Sequence, residues 1–243
     1  MEKIFDFQIE DEAEIHYFPY KIFEKGEYNY YSILKYYNHD SIMKYDLQNY
    51  ILKEFSKSIS KSISISNKKP NQISKIKTLK PVYAFIVRED NTIIYVSYNE
   101  IRSVSREGED TLLNDQSKFL VDIKEDTDGN IIVLDKNTSL LKKMSKEGIF
   151  TNITEGTDIM FPNSFVIVEE GYLIGDIKYI WFVEESGNKF VVLHSNTKTD
   201  SAVGYDNLYL RGKKIAFTYQ MDEKTTYEIC EYNSESKKYY YLL

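Results

Sequence analysis

A two-part hairpin signal returns about every 40 residues along most of this chain. One turn reads Asp90-Asn91, Asp128-Gly129, Glu170-Gly171 and Arg211-Gly212. The other reads Glu107-Gly108, Glu147-Gly148, Ser186-Gly187 and, more loosely, Ser234-Glu235. Gly, Asn and Asp tolerate positive φ, so such pairs close tight antiparallel turns. Between them lie short runs of Ile, Val, Tyr and Phe, residues that suit a pleated, half-buried surface.

The most complete unit spans residues 119–153. Phe119 to Ile123 forms a first strand, and Asp128-Gly129-Asn130 turns it into Ile131 to Asp135. Leu140 to Met144 is a third strand, and Glu147-Gly148 returns it as Ile149 to Ile153. The order is repeated before it, from Val82 to Leu113, and twice after it, from Ser164 to Leu193 and from Asn207 to Leu242. Four-stranded units of this length, with no helix between them, predict an all-β propeller of about five blades of ~40 residues each.

The whole of 1–243 reads as a single propeller domain with an irregular first blade over 13–55. Its expected strands are Ile15 to Tyr20, Tyr30 to Tyr36, Ser41 to Asp46 and Tyr50 to Phe55, with turns at Asn38-His39-Asp40 and Gln48-Asn49. A helix over Ile42 to Lys53 is the alternative, since Ile42, Tyr45, Asn49 and Leu52 share a helical face. The Ser/Lys-rich stretch 56–80 interrupts the spacing and reads as a mobile inter-blade insertion, although its Ser/Ile alternation also suits an edge strand. Regular blades fill 82–243. Residues Ile4 to Ile9 are expected to pair with the last blade and close the ring.

Val121-Asp122, Asp128-Gly129-Asn130, the β-branched run from Ile131 and the closing Asp135 give the central unit a resemblance to the blades of NHL-repeat and lactonase-type propellers. That resemblance implies a fold and little about activity. Lactonase-type propellers hold a metal in the central tunnel through carboxylates and amides of the inner strands, the hard oxygen ligands such cations need. Here the equivalent runs around Phe85, Val166 and Leu208 are apolar, and Asp122 is the one acid well inside a predicted inner strand. The departure argues against a tunnel metal. Asp122 reads instead as an acceptor for backbone groups of the neighbouring blade.

Charge and motif content narrow the function classes. The net charge of −7 opposes a general nucleic-acid groove, which needs clustered Lys and Arg. The seven Lys between Lys57 and Lys80 are a local exception, read as a solvated loop. The 22 Tyr are assigned to blade packing, with an aromatic ligand surface as the alternative. His16, His39 and His194 have no metal-ligand spacing, and the single Cys230 shares no motif with them. The acids Glu10, Asp11, Glu12 and Glu14 read as a solvated face. No phosphate loop, dinucleotide fingerprint or nucleophile elbow occurs, so no catalytic residue, metal or cofactor is assigned. No apolar run is long enough to span a membrane and no secretory leader precedes the first strand, so the expected location is the cytoplasm, with non-Sec export or assembly into a larger particle left open.

The expected function is a non-catalytic propeller serving as a protein interaction or assembly platform. The alternatives are a carbohydrate or small-ligand binder that uses Tyr side chains, and a hydrolase that uses the tunnel. Apolar inner strands point to a binding surface on loops at one rim. Arg88 and Arg211 precede equivalent turns there, and with Asp122 they are the candidate binding residues. An arginine pair suits a partner carboxylate, and pairing with nearby acids such as Glu89 or Asp206 is the plain structural reading.

Overall fold

A computed structural model describes residues 15–39, 42–55, 73–185, 189–193, 204–211, 214–221, 224–233 and 238–241. Among them every regular element is a strand, and the strands form five four-stranded antiparallel sheets. The first sheet joins β1 (Ile15–Lys25), β2 (Tyr28–His39), β3 (Ile42–Phe55) and β4 (Ile73–Lys77). The second joins β5 (Ala84–Val87), β6 (Ile93–Val96), β7 (Ile101–Val104) and β8 (Asp110–Asn114). The third joins β9 (Leu120–Glu125), β10 (Ile131–Asp135), β11 (Leu140–Met144) and β12 (Phe150–Asn152). The fourth joins β13 (Ser164–Val168), β14 (Gly171–Gly175), β15 (Ile180–Glu184) and β16 (Lys189–Leu193). The last joins β17 (Tyr205–Arg211), β18 (Lys214–Met221), β19 (Lys224–Asn233) and β20 (Lys238–Tyr241). Each sheet is a meander in chain order. Met1–Leu113 and Asn114–Leu243 are two compact units.

The turns explain why the registers are so regular. Ser105 N–H donates to the Glu109 carbonyl at 2.9 Å, and Gly108 N–H donates to the Ser105 carbonyl at 3.0 Å. Ser145, Gly148 and Ile149 repeat this pattern, as do Arg88, Asn91 and Thr92, and again Asp126, Gly129 and Asn130. This is a type I turn followed by a left-handed residue, a form that fits the twist of the flanking strands. The left-handed positions are Asn91 (φ 67°), Gly108 (φ 89°), Gly129 (φ 80°) and Gly148 (φ 81°). The first residue of each turn reinforces it where it can. The Asp126 carboxylate accepts from Asp128 and Asn130 N–H, and the Ser105 and Ser145 hydroxyls accept from the backbone of their own turns.

Burial on both faces explains the near-continuous apolar strands. In the fourth sheet, Tyr172, Ile174, Trp181 and Val183 pack with Ile132, Leu134 and Leu141 of the third. The alternate residues Leu173, Ile180 and Phe182 pack with Tyr205, Leu208, Ile215 and Phe217 of the last. In the N-terminal unit, Tyr30 and Ile51 of the first sheet meet Phe85, Val87, Ile93 and Tyr95 of the second.

The strands from residue 84 onward fall where the hairpin signals place them, while the signals at Ser186-Gly187, Gly212 and Ser234-Glu235 lie outside the described residues. The first sheet corrects the sequence reading. The two short strands expected at 41–46 and 50–55 are one long strand, β3, so the helical alternative is excluded as well. Gln48-Asn49 is an irregularity inside β3, where pairing with β2 shifts from Leu34↔Leu47 to Ser32↔Ile51. β3 stays paired across this point, with β2 on both sides and with β4 from Tyr50, and its carbonyls are taken from outside the strand, by Val82 N–H on Gln48 and Thr78 N–H on Asn49. The fourth strand of this sheet is β4, which comes from within the stretch read as an insertion. Residues 56–72 and Ile4 to Ile9, with the ring-closing pairing assigned to the latter, lie outside the described residues.

Candidate functional site

The structure treats the three sequence-predicted residues differently. Asp122, in β9, is fully buried. Its Oδ1 accepts from Ile123 N–H at 2.9 Å and from the Lys124 ammonium at 3.1 Å. Its Oδ2 accepts from Phe165 N–H, 3.2 Å away on the first strand of the next sheet. A second clasp follows it, because the buried Ser164 hydroxyl accepts from Leu208 N–H at 3.0 Å. The carboxylate and the hydroxyl thus tie successive first strands together, the structural role expected of Asp122.

Arg88 opens the β5–β6 turn, with its side chain half-buried. Its carbonyl receives Asn91 N–H at 2.9 Å and also the Lys25 ammonium from the end of β1. The neighbouring Glu89 meets that same lysine at 3.8 Å. Asp90 is held below the ordinary carboxylate range by Thr92, whose N–H donates to it, and Arg88 adds to the effect. Arg211 ends β17, opposite Lys214, and its side chain lies outside the described residues. Arg88 and Arg211 belong to different units. The side chains of His16, His39 and Cys230, and all of His194, also lie outside the described residues.

Three charged clusters were not assigned from the sequence, although most of their members are near neighbours along the chain. In the second sheet, Asp110 accepts from Arg102 Nε at 2.8 Å, from the Tyr95 hydroxyl at 2.7 Å and from Leu79 N–H at 2.7 Å. Arg102 also donates to Glu100 at 2.7 Å. Burial, then the Asp110 carboxylate, pushes the Tyr95 phenol far above its ordinary value. In the third sheet, Asp135 accepts from Asn137 and Thr138 N–H and pairs with Lys142 at 2.7 Å. In the fourth, Asp176 accepts from Lys178 and Tyr179 N–H, from the Trp181 indole and from Met160 N–H. Asp135 and Asp176 hold equivalent turns, so a recurring Asp after the second strand was the available signal. All three carboxylates are saturated by the fold itself. Among the described residues no cluster of His, Cys, Asp or Glu has the makings of a metal site.

One loop behaves otherwise. Between β12 and β13, Ile159 and Pro162 point inward and the two residues between them point out. Met160 is 43% exposed and Phe161 58% exposed. Phe161 has φ 47°, a conformation costly for a bulky residue. It is held there by its neighbours. Met160 is bonded through N–H to Asp176 and through its carbonyl to Ile177 N–H, and Phe161 N–H donates to the Ser139 hydroxyl at 3.3 Å. Ser139 is itself left-handed, at φ 56°. The pair sits beside the β10–β11 and β14–β15 turns, at the opposite end of these sheets from the β9–β10 turn.

No protein-family model matches the chain, and no curated protein is similar to it in sequence. Solved structures are similar to it in shape. A virginiamycin B lyase from Staphylococcus aureus is 13% identical over 92% of this chain and 72% of that one, with a TM-score of 0.58. A streptogramin B lyase is 11% identical over 88% of this chain and 86% of that one, with a TM-score of 0.54. A gluconolactonase from Xanthomonas campestris is 9% identical over 60% of this chain and 56% of that one, with a TM-score of 0.50. At such identities the likeness is one of fold, and the fold of this chain is a β-propeller.

Proposed function

We propose that this propeller is a non-catalytic platform for protein interaction or assembly. The observation that carries the reading is the Met160–Phe161 pair. Exposed apolar side chains are ordinary when scattered. Here an aromatic is held outward on a strained backbone by hydrogen bonds from two turns, and strain of that kind persists only where the surroundings impose it. A rigid aromatic that loses little entropy on docking is the typical anchor of a protein interface. The buried carboxylates support the same reading, since Asp110, Asp122, Asp135 and Asp176 are each engaged by the fold. Arg88 and Arg211 remain candidate contacts for a partner carboxylate at the β5–β6 and β17–β18 turns.

The test is Phe161→Gly, compared with the parent chain for binding to a co-purifying protein identified by cross-linking. Glycine suits φ 47°, so thermal stability should hold or rise while affinity falls at least tenfold. Unchanged affinity in a folded variant removes the reading. A tunnel hydrolase is the rival that the gluconolactonase among the fold neighbours favours. Turnover lost on Asp122→Asn, in a variant that keeps the parent melting temperature, would establish it.

A further inference from the structure

The outer strands of the five sheets are not alike. β4 carries Lys75 and Lys77, β16 carries Lys189, and β20 carries Lys238. β12 is only three residues long. Lysines and brevity are the usual means by which an edge is kept from pairing with another chain. β8 has neither protection. It runs Asp110-Thr111-Leu112-Leu113-Asn114, with Thr111 exposed, Leu112 49% exposed and Leu113 40% exposed. Its one charge, Asp110, is turned inward to Arg102, Tyr95 and Leu79 N–H.

The edge is also fixed in place and in register. Ser105 N–H bonds the Glu109 carbonyl, and the Ser103 and Thr111 hydroxyls meet at 2.8 Å. Alternation along an antiparallel pair then turns the N–H and C=O of Leu112 away from β7. Acids surround this edge. Residues 107–115 contain Glu107, Glu109, Asp110 and Asp115 and no Lys or Arg. Antiparallel pairing with a second copy of β8 would bring the Glu109 end of one strand against the Asp115 end of the other. Like charges set opposite each other are destabilising.

We propose that the outer edge of β8, which pairs with no other strand among the described residues, is a strand-addition site for an extended segment of a protein partner, apolar at alternate positions and flanked by basic residues. Main-chain hydrogen bonds would supply affinity, Leu112 and Leu113 the apolar contact, and the acidic flanks the choice of partner. The proposal rests on the platform reading and names the chemistry of one partner.

The probe is the capped peptide Lys-Lys-Val-Thr-Val-Thr-Val-Lys-Lys, titrated into the full-length, isotope-labelled chain. Saturable binding is expected, with amide exchange at Leu112 slowed at least tenfold and affinity falling as salt rises. The same peptide with Glu in place of Lys should bind at least tenfold more weakly. Leu112→Pro removes a donor from the outer edge, where proline is tolerated, and should abolish binding with little change in melting temperature. Leu112→Lys is the companion variant if the proline version does not fold. Equal affinity in a folded variant, protection at another strand, or protection of β8 by self-association without peptide each overturns the proposal. A failed titration alongside a Phe161-dependent partner leaves the platform reading standing. Loss of both removes the two together.

Discussion

The third sheet and the first sheet are built from the same four-stranded meander by different means. In the third, each strand runs three to six residues and each hairpin is closed by a local device. Asp126 with Gly129, Asp135, and Ser145 with Gly148 fix the turns within a few residues of themselves. In the first, β1, β2 and β3 run 11, 12 and 14 residues, and the interior devices are irregularities. Pairing of β1 with β2 shifts between Pro19 and Lys21, where Ser32 accepts Lys21 N–H at 3.1 Å. Lysines lie over tyrosine rings on this sheet, Lys53 at 4.1 Å from the Tyr28 centroid and Lys75 at 3.7 Å from that of Tyr50. Short strands carry their register in their turns. Long strands carry it in contacts made along their length, so a single change in a turn should matter more in the third and fourth sheets.

The largest contrast should come from Asp176→Ala. It strips partners from Lys178, Tyr179 and Met160 N–H and from the Trp181 indole, and hydrogen bonds to a charged acceptor are worth about 1.5–3 kcal/mol each. A loss of roughly 4 kcal/mol in unfolding free energy is expected by denaturant titration, and a loss below about 1 kcal/mol would contradict the importance given to these turns. Gly175→Ala should cost about 2 kcal/mol by the same measurement. A Cβ there would lie 2.6 Å from Leu208 Cδ1 and 2.9 Å from the Tyr205 carbonyl, both in the next sheet. A silent substitution would mean that the fourth and last sheets pack less tightly than they appear.

Ser32→Ala, at the irregularity of the first sheet, should cost only about 1 kcal/mol, because one neutral hydrogen bond is lost and β2 stays paired on both sides. A cost as large as that of Asp176→Ala would erase the distinction between the two kinds of sheet. The smallest effect concerns pH. Burial alone would raise the Asp126 carboxyl, but hydrogen bonds from Lys143 and Asn130 outweigh it and hold it below its ordinary value. A group depressed in the folded state adds stability above its unfolded pKa and loses that contribution as pH falls through the folded one. The melting temperature should therefore drop below about pH 4, and Lys143→Met should make that drop shallower. An unchanged acid limb in the variant would show that the Lys143–Asp126 pair, 2.9 Å apart, contributes nothing.

How much was legible follows from the same contrast. Strand positions from residue 84 onward could be read because Asn91, Gly108, Gly129 and Gly148 sit where the backbone must turn left-handed. Asp122 could be placed because it interrupts an otherwise apolar first strand. The run through Gln48-Asn49 resembled a turn because polar residues favour both turns and strand irregularities. Only pairing with the distant strands β2 and β4 decides between them. The Met160–Phe161 pair gave no signal, since an exposed aromatic and a buried one look the same in a sequence.

The sequence by itself determined the all-β class, the blade length and the turns at Asn91, Gly108, Gly129 and Gly148, because these depend on φ preferences and alternation within a few residues. It also determined that Asp122 would be held by backbone groups, because a lone carboxylate among apolar neighbours must find donors. Tertiary structure alone decided that β4 completes the first sheet, that Asp110 gathers Arg102, Tyr95 and Leu79, and that Phe161 faces out while Ile159 faces in. Those outcomes depend on which distant groups compete for one donor or one cavity. That competition is settled by packing across sheets and leaves no periodic trace along the chain.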